Sequence, residues 1–162
     1  PPAVTSCKQL TPKSDFQSSQ FFTGTWSVTR AKNISTSVCH KFDTKLAGST
    51  ITVTADGYYD IGRKREFYNV SCTGTDNNSG KFSITCQPKR PDSTTKSTST
   101  VQVEVTVLGK QTIQIVLLSF IDVPRSGSVI TENYLVLQRN EDFEISGLEG
   151  IFKTSRIRAQ KR

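Results

Sequence analysis

Phe21-Phe22-Thr23-Gly24-Thr25-Trp26 is the stretch on which the reading of this chain turns. Before it, residues 1–20 are polar and without period, an N-terminal arm whose end is anchored by Phe16, Phe21 and Phe22. After it the chain changes character. Gly24 to Lys32, GTWSVTRAK, is the first of eight segments with strand composition and alternation.

The other seven follow at short intervals. They are residues 38–46, 50–60, 65–73, 81–87, 98–108, 111–121 and 129–139. The sixth alternates most clearly, Val101, Val103, Val105 and Val107 against Gln102, Glu104 and Thr106. In a strand that places the valines on one face. Asp76-Asn77-Asn78-Ser79-Gly80 and Leu108-Gly109-Lys110 read as hairpin turns. Residues 87–97, with Pro88 and Pro91, and residues 122–128, with Pro124 and Gly127, read as longer loops. Past residue 139 the pattern becomes helical. Ser146-Gly147-Leu148-Glu149 is a capping-box sequence. Leu148, Ile151 and Phe152 follow at helical spacing, and Arg156, Arg158, Lys161 and Arg162 suit a helix C-terminus. The expectation is a single all-β domain over residues 1–162: arm 1–20, eight antiparallel strands within 21–139, and a C-terminal α-helix with a basic tail over 140–162. Pattern alone leaves open whether the strands close into an up-and-down barrel or form a filled sandwich.

Composition agrees. The 162 residues are 34% hydrophobic and 22% charged, about a quarter are Ser or Thr, and Met is absent. A domain of this length buries roughly 70% of its unfolded surface and needs no metal to hold a core. No apolar run approaches the roughly 18 residues of a membrane span. The chain opens at Pro1-Pro2 without Met or an apolar leader, which reads as a mature, processed protein. Four cysteines suggest two disulfides and an oxidising compartment. Cys72 and Cys86 flank the turn near Ser79 on adjacent strands, within disulfide reach. Sequons stand at Asn33, Asn69 and Asn77. The net charge of +7 favours anionic partners. Nucleic acid finds no support, since zinc spacings, RNP patterns and basic helices interleaved with aromatics are all missing. Catalysis finds none either. His40 is the sole histidine, and Asp56, Asp60 and Glu66 lack the spacing of a carboxylate pair.

The motif Phe21–Trp26 resembles the Gly-x-Trp signature that opens the first strand of lipocalins. Asn133-Tyr134-Leu135-Val136-Leu137-Gln138-Arg139 is similar to the closing lipocalin signature, in which the Arg lies across the Trp. That contact is a cation–π pair worth roughly 0.5–2 kcal/mol. The middle signature is replaced by Leu108-Gly109-Lys110, a departure that marks an outlier. The order FFTGTW, Val38-Cys39-His40-Lys41-Phe42, a Cys pair framing a polar turn, then ENYLVLQR resembles triatomine salivary lipocalins of the triabin and pallidipin group. The resemblance implies an eight-stranded antiparallel up-and-down barrel, secretion in saliva, and action against host haemostasis. Members of this family scavenge thromboxane, ADP or biogenic amines, bind thrombin or contact-pathway factors, or carry haem. Haem does not fit here, because His40 is not on the later strand where haem-carrying relatives place their ligand. The family's Cys pair around the turn supports Cys72–Cys86. The family partners of Cys7 and Cys39 are missing, so these two pair with each other or stay unpaired within the chain.

The barrel places Trp26 at the closed end and four loops at the mouth. These carry Lys32, Arg63, Lys64, Arg65, Lys89, Arg90, Lys96 and Arg125 against Asp60, Asp92 and Asp122. Such a rim is either an anion-focusing funnel or a solvated edge. If Trp26 points inward, strand parity turns Val28 and Arg30 inward too. Arg30 would then need an acidic partner or an anionic ligand. Val103, Val105, Leu117 and Tyr134 are expected wall residues and Tyr68 a hydroxyl donor. Amines would need acids in the cavity, for which Glu104 and Glu132 are the candidates. The expected function is stoichiometric capture, by a monomer, of a small amphipathic anion. An eicosanoid such as thromboxane A2 leads, with inhibition of platelet aggregation as the result. The alternative is inhibition of a host coagulation protein through the basic surface and the Arg156–Arg162 tail.

Overall fold

The computed structural model describes residues 3–4, 9–32, 37–38, 41–61, 64–91, 100–108, 113–122, 130–139 and 155–156. In chain order the elements are β1 (Ala3–Val4), α1 (Ser18–Phe21), β2 (Gly24–Ala31), β3 (Ser37–Val38), β4 (Lys41–Ala47), β5 (Thr50–Thr54) and β6 (Gly57–Ile61). There follow β7 (Lys64–Thr75), β8 (Lys81–Lys89), β9 (Val101–Val107), β10 (Ile113–Asp122), β11 (Ile130–Gln138) and β12 (Ser155–Arg156).

Every pairing is antiparallel. The path runs β2-β4-β5-β7-β8-β9-β10-β11, and β11 pairs back onto β2. The sheet therefore returns on itself as a barrel with up-and-down connections. Four expected segments survive almost unchanged, since alternation fixes which face each strand buries. Two others split. Residues 50–60 break at Ala55-Asp56, where the Asp56 carboxylate accepts the Val70 N–H at 3.1 Å in place of a backbone carbonyl. The register with β7 continues across the break, Thr54↔Ser71 before it and Gly57↔Tyr68 after. Residues 38–46 divide into β4, on β2 and β5, and β3, which pairs with β6 instead. β8 runs on through Pro88 to Lys89. Its pairing with β9 has ended by then, at Cys86↔Val101, so the missing proline N–H costs nothing on that side.

The arm contributes more than expected. Ala3–Val4 pairs with Thr131 and Ile130 at one end of β11. At the opposite end the Lys13 N–H donates to the Val107 carbonyl at 2.8 Å, and α1 caps the barrel. The expected C-terminal helix over 140–162 falls outside the described residues except at Ser155–Arg156. These two are extended, not helical, and pair with Ala31 and Arg30 of β2. Cys7, Cys39, His40 and Asn33 also lie outside the described residues. Among the described residues no helix is long and apolar enough to cross a membrane.

The closed end is an aromatic plug. Phe21 lies tilted against Trp26 at 5.4 Å and Phe22 meets Phe82 edge-to-face at 5.0 Å between ring centroids, with Phe16 against Phe21 at 5.2 Å. Trp26 Nε1 donates to the Phe21 carbonyl at 2.8 Å, which satisfies its one buried donor. Gly24 reaches φ +75°, a left-handed conformation that a side chain would oppose, and this bend swings Trp26 under the plug. The Arg139 guanidinium lies 3.6 Å from the Trp26 ring centroid.

Candidate ligand-binding site

Strand register fixes which side chains enter the barrel. On β9 the row is Val103, Val105 and Val107; on β7 it is Tyr68, Val70 and Cys72; on β5 it is Ile51 and Val53. All are buried. Val105 stands opposite Leu118, and Val116 opposite both Val107 and Leu135. Aromatics thus close the bottom and valines line the middle. An eight-stranded barrel is just wide enough to be filled by side chains or to hold one small ligand.

Val103 and Val105, expected as wall residues, take this row, and so does Tyr68, expected as a hydroxyl donor. Arg30 and Tyr134 do not. Val28 pairs with Leu137, but Arg30 pairs with Val136, so β2 carries one extra residue, Thr29, at a bulge. A bulge resets parity. Beyond it Ala31, fully buried in the core, continues the inward row, and Arg30 shares the outer face with Val136. Arg30 therefore does not enter the barrel on the Trp26 face. Thr29 is held at the bulge by its hydroxyl, which donates to the Gln138 side-chain carbonyl. Leu117 and Tyr134 stand opposite each other, and Leu117 stands opposite Thr106, which lies between the inward Val105 and Val107. Tyr134 occupies the outer row, and Lys32 lies over its ring at 5.6 Å. Glu104 and Glu132, opposite Ser119, are on the outer row as well.

The charged groups that do face the barrel are at its mouth. The inward row of β7 continues from Tyr68 to Glu66, and that of β8 from Ile84 and Cys86 to Pro88, with Arg90 just past the strand's end at Lys89. The Arg90 guanidinium contacts Glu66 Oε2 at 2.8 Å, and the Tyr68 hydroxyl donates to the same oxygen at 3.2 Å. The Glu66 side chain is 33% exposed and that of Arg90 58%, a pair open to the mouth yet screened less than a surface pair. Tyr59, opposite Glu66, sets its ring 6.3 Å from that of Tyr68 and donates its hydroxyl to the Ala55 carbonyl at 2.7 Å. Burial, and then the Asp56 carboxylate, push the Tyr59 phenol well above its ordinary range. Lys32, Lys64 and Arg65 are exposed around the same end. Of the remaining expected rim residues, Lys89 is exposed on β8, Asp60 and Asp122 stand in β6 and β10, and Arg63, Lys96, Arg125 and Asp92 lie outside the described residues.

In the sequence Arg90 is one rim cation among many, and Glu66 lacks the spacing of a carboxylate pair. A usable signal was present. Phe82, Ile84, Cys86, Pro88 and Arg90 keep one parity along β8, and Glu66 keeps the parity of Tyr68.

Known proteins resemble this chain in sequence and in fold. The profile of the nitrophorin family matches residues 7–151. Triafestin-2 and triafestin-1 of Triatoma infestans are each 30% identical over 146 residues, covering 87% of this chain and 70% of theirs. The amine-binding protein of Rhodnius prolixus, solved as its tryptamine complex, superposes with a TM-score of 0.65 at 18% identity, over 85% of this chain and 73% of that one. Insecticyanin from the tobacco hornworm Manduca sexta superposes at 0.56 with 15% identity, over 90% and 75%. At these identities the structural matches establish the fold.

Proposed function

The chain belongs to the nitrophorin family, the triatomine salivary lipocalins its motifs resemble, and on that footing we propose that it is secreted and captures one small amphipathic anion. The family binds small ligands, and capture is stoichiometric, without turnover. One arrangement supports this reading: a valine-lined barrel, closed below by aromatics, with Arg90 on the inward row at its mouth. The apolar body of the ligand lies among Val28, Val53, Val70, Val103 and Val105. Its carboxylate takes Arg90 from Glu66, exchanging one charge-assisted hydrogen bond for another. The surrounding Lys32, Lys64 and Arg65 raise the local concentration of anions. An eicosanoid of the thromboxane A2 type has this chemistry, and its removal would inhibit platelet aggregation.

A second reading rests on Glu66 itself. A carboxylate beside the Tyr59 and Tyr68 rings suits an aromatic amine, and the Rhodnius protein of the same fold was solved with tryptamine. Calorimetric titration with a stable thromboxane analogue and with tryptamine separates the two. The proposal expects one-to-one binding of the analogue at micromolar concentration or below. Binding of tryptamine alone would replace it with the amine reading. Silence from both would favour the alternative, inhibition of a coagulation protein through the basic surface.

A further inference from the structure

The sequon Asn77-Asn78-Ser79 plays no part in ligand capture, and its place in the fold suggests a modification site. Asn77 and Asn78 are exposed at the tip of the β7–β8 hairpin. The Asn77 side-chain amide nitrogen donates to the Lys81 carbonyl at 2.9 Å, on the surface. That nitrogen carries two protons, and this contact uses one. Its oxygen accepts the Ser79 N–H at 3.1 Å, joining the first and third residues of the sequon. Asn69, the other described sequon, stands differently. It is half-buried in the middle of β7, registered against Lys89 of β8. A sugar there would have to displace what already shields the side chain.

A second observation concerns the compartment. Cys72 and Cys86, 14 residues apart at the base of this same hairpin, form a disulfide across the directly opposed pair Cys72↔Cys86. Such a bond forms and persists where the environment is oxidising, which is also where N-glycans are transferred.

We propose that Asn77 carries an N-linked glycan in the secreted protein. The co-reactant is a lipid-linked oligosaccharide. The Asn77 Nδ2 forms a bond to C1 of its first sugar, an N-acetylglucosamine, and loses one proton, and the lipid pyrophosphate leaves with the bonding electrons. The glycan stands at the closed end, beside the arm. There Ser18 donates to Asp76 at 2.7 Å, and Pro12 packs so close that a Cβ on Gly80 would lie 3.0 Å from it. It is thus remote from the Arg90–Glu66 mouth, and its removal leaves ligand capture untouched. This assignment does not depend on the identity of the ligand.

The test is expression of the full chain behind a signal peptide in an insect secretory line, with peptide-level mass mapping of the secreted product. Wild type and Asn69→Gln are expected to carry glycan on the Asn77 peptide. Asn77→Gln and Ser79→Ala are expected to lose it, the latter while keeping the Asn77 side chain in its turn. Mapping the wild type alone is decisive if a variant fails to secrete. An unmodified Asn77 peptide in secreted wild type, or a glycan that persists on that peptide in Ser79→Ala, overturns the proposal.

Discussion

Arg139 ties three parts of the closed end together. Its guanidinium covers Trp26 and donates to the Thr25 carbonyl at 3.0 Å and the Gln20 carbonyl at 2.8 Å. One side chain therefore closes β11 onto both β2 and α1. Arg139→Ala removes a cation–π contact and the charge-assisted hydrogen bonds to the Thr25, Gln20 and Phe21 carbonyls at a partly exposed site, so urea unfolding should show a loss of about 1–2 kcal/mol. Tyr59 gives a pH-dependent term. Its folded pKa is raised, so above the unfolded value near ~10 the unfolded chain releases a proton that the folded chain keeps. Its contribution is complete below that pH and is lost progressively above it, as pH rises toward the raised folded value. Urea midpoints measured from pH 8 to 11 should fall less steeply for Tyr59→Phe than for wild type. Equal slopes would mean that the phenol is not desolvated. At this scale the Trp26 and Arg139 pairing was legible in the sequence, because both sit in recognisable motifs. The direction of Arg30 was not, because parity counted from Trp26 has no way to register the extra residue at Thr29.

Among the elements, the β7–β8 hairpin is the one covalently closed unit described. The Cys72–Cys86 bond spans 14 residues. In the chain-entropy account a loop of that size stabilises by about 3 kcal/mol. Reducing the bond, or replacing both cysteines by Ala, should lower stability by about that amount. A difference below about 1 kcal/mol in the unfolding free energy would show that the hairpin is already ordered in the unfolded ensemble. Gly74, in the same hairpin, has no room for a side chain, since a Cβ would clash with the Ser83 carbonyl oxygen. The strands themselves were readable from alternation. Their breaks were not, because each depends on a partner remote in sequence. The Asp56 carboxylate replaces a backbone carbonyl at Val70, and β3 leaves β2 for β6. The extended Ser155–Arg156 pairing is likewise tertiary, in a stretch whose local signals favour a helix.

For the whole molecule, the gradient along the barrel axis carries the functional argument. Aromatics at the closed end, valines in the middle and an ionic pair at the mouth give one axis, with an apolar interior that ends in charge. Strand order alone leads to the expectation that the four mouth loops share one end, as hairpin connections alternate between the two ends of a barrel. Which cation stands at the mouth depends on the bulge in β2 and on the run of β8 as far as Lys89, beyond what hydrophobic pattern encodes. The most direct test is calorimetric titration of a stable thromboxane analogue into wild type, Arg90→Ala and Arg30→Ala. The account predicts one-to-one binding by wild type, weakening of about tenfold or more in Arg90→Ala, as expected for loss of a charge-assisted hydrogen bond, and wild-type affinity in Arg30→Ala. Weakened binding in Arg30→Ala with Arg90→Ala unchanged would contradict it, and would place the anion on the outer face of β2.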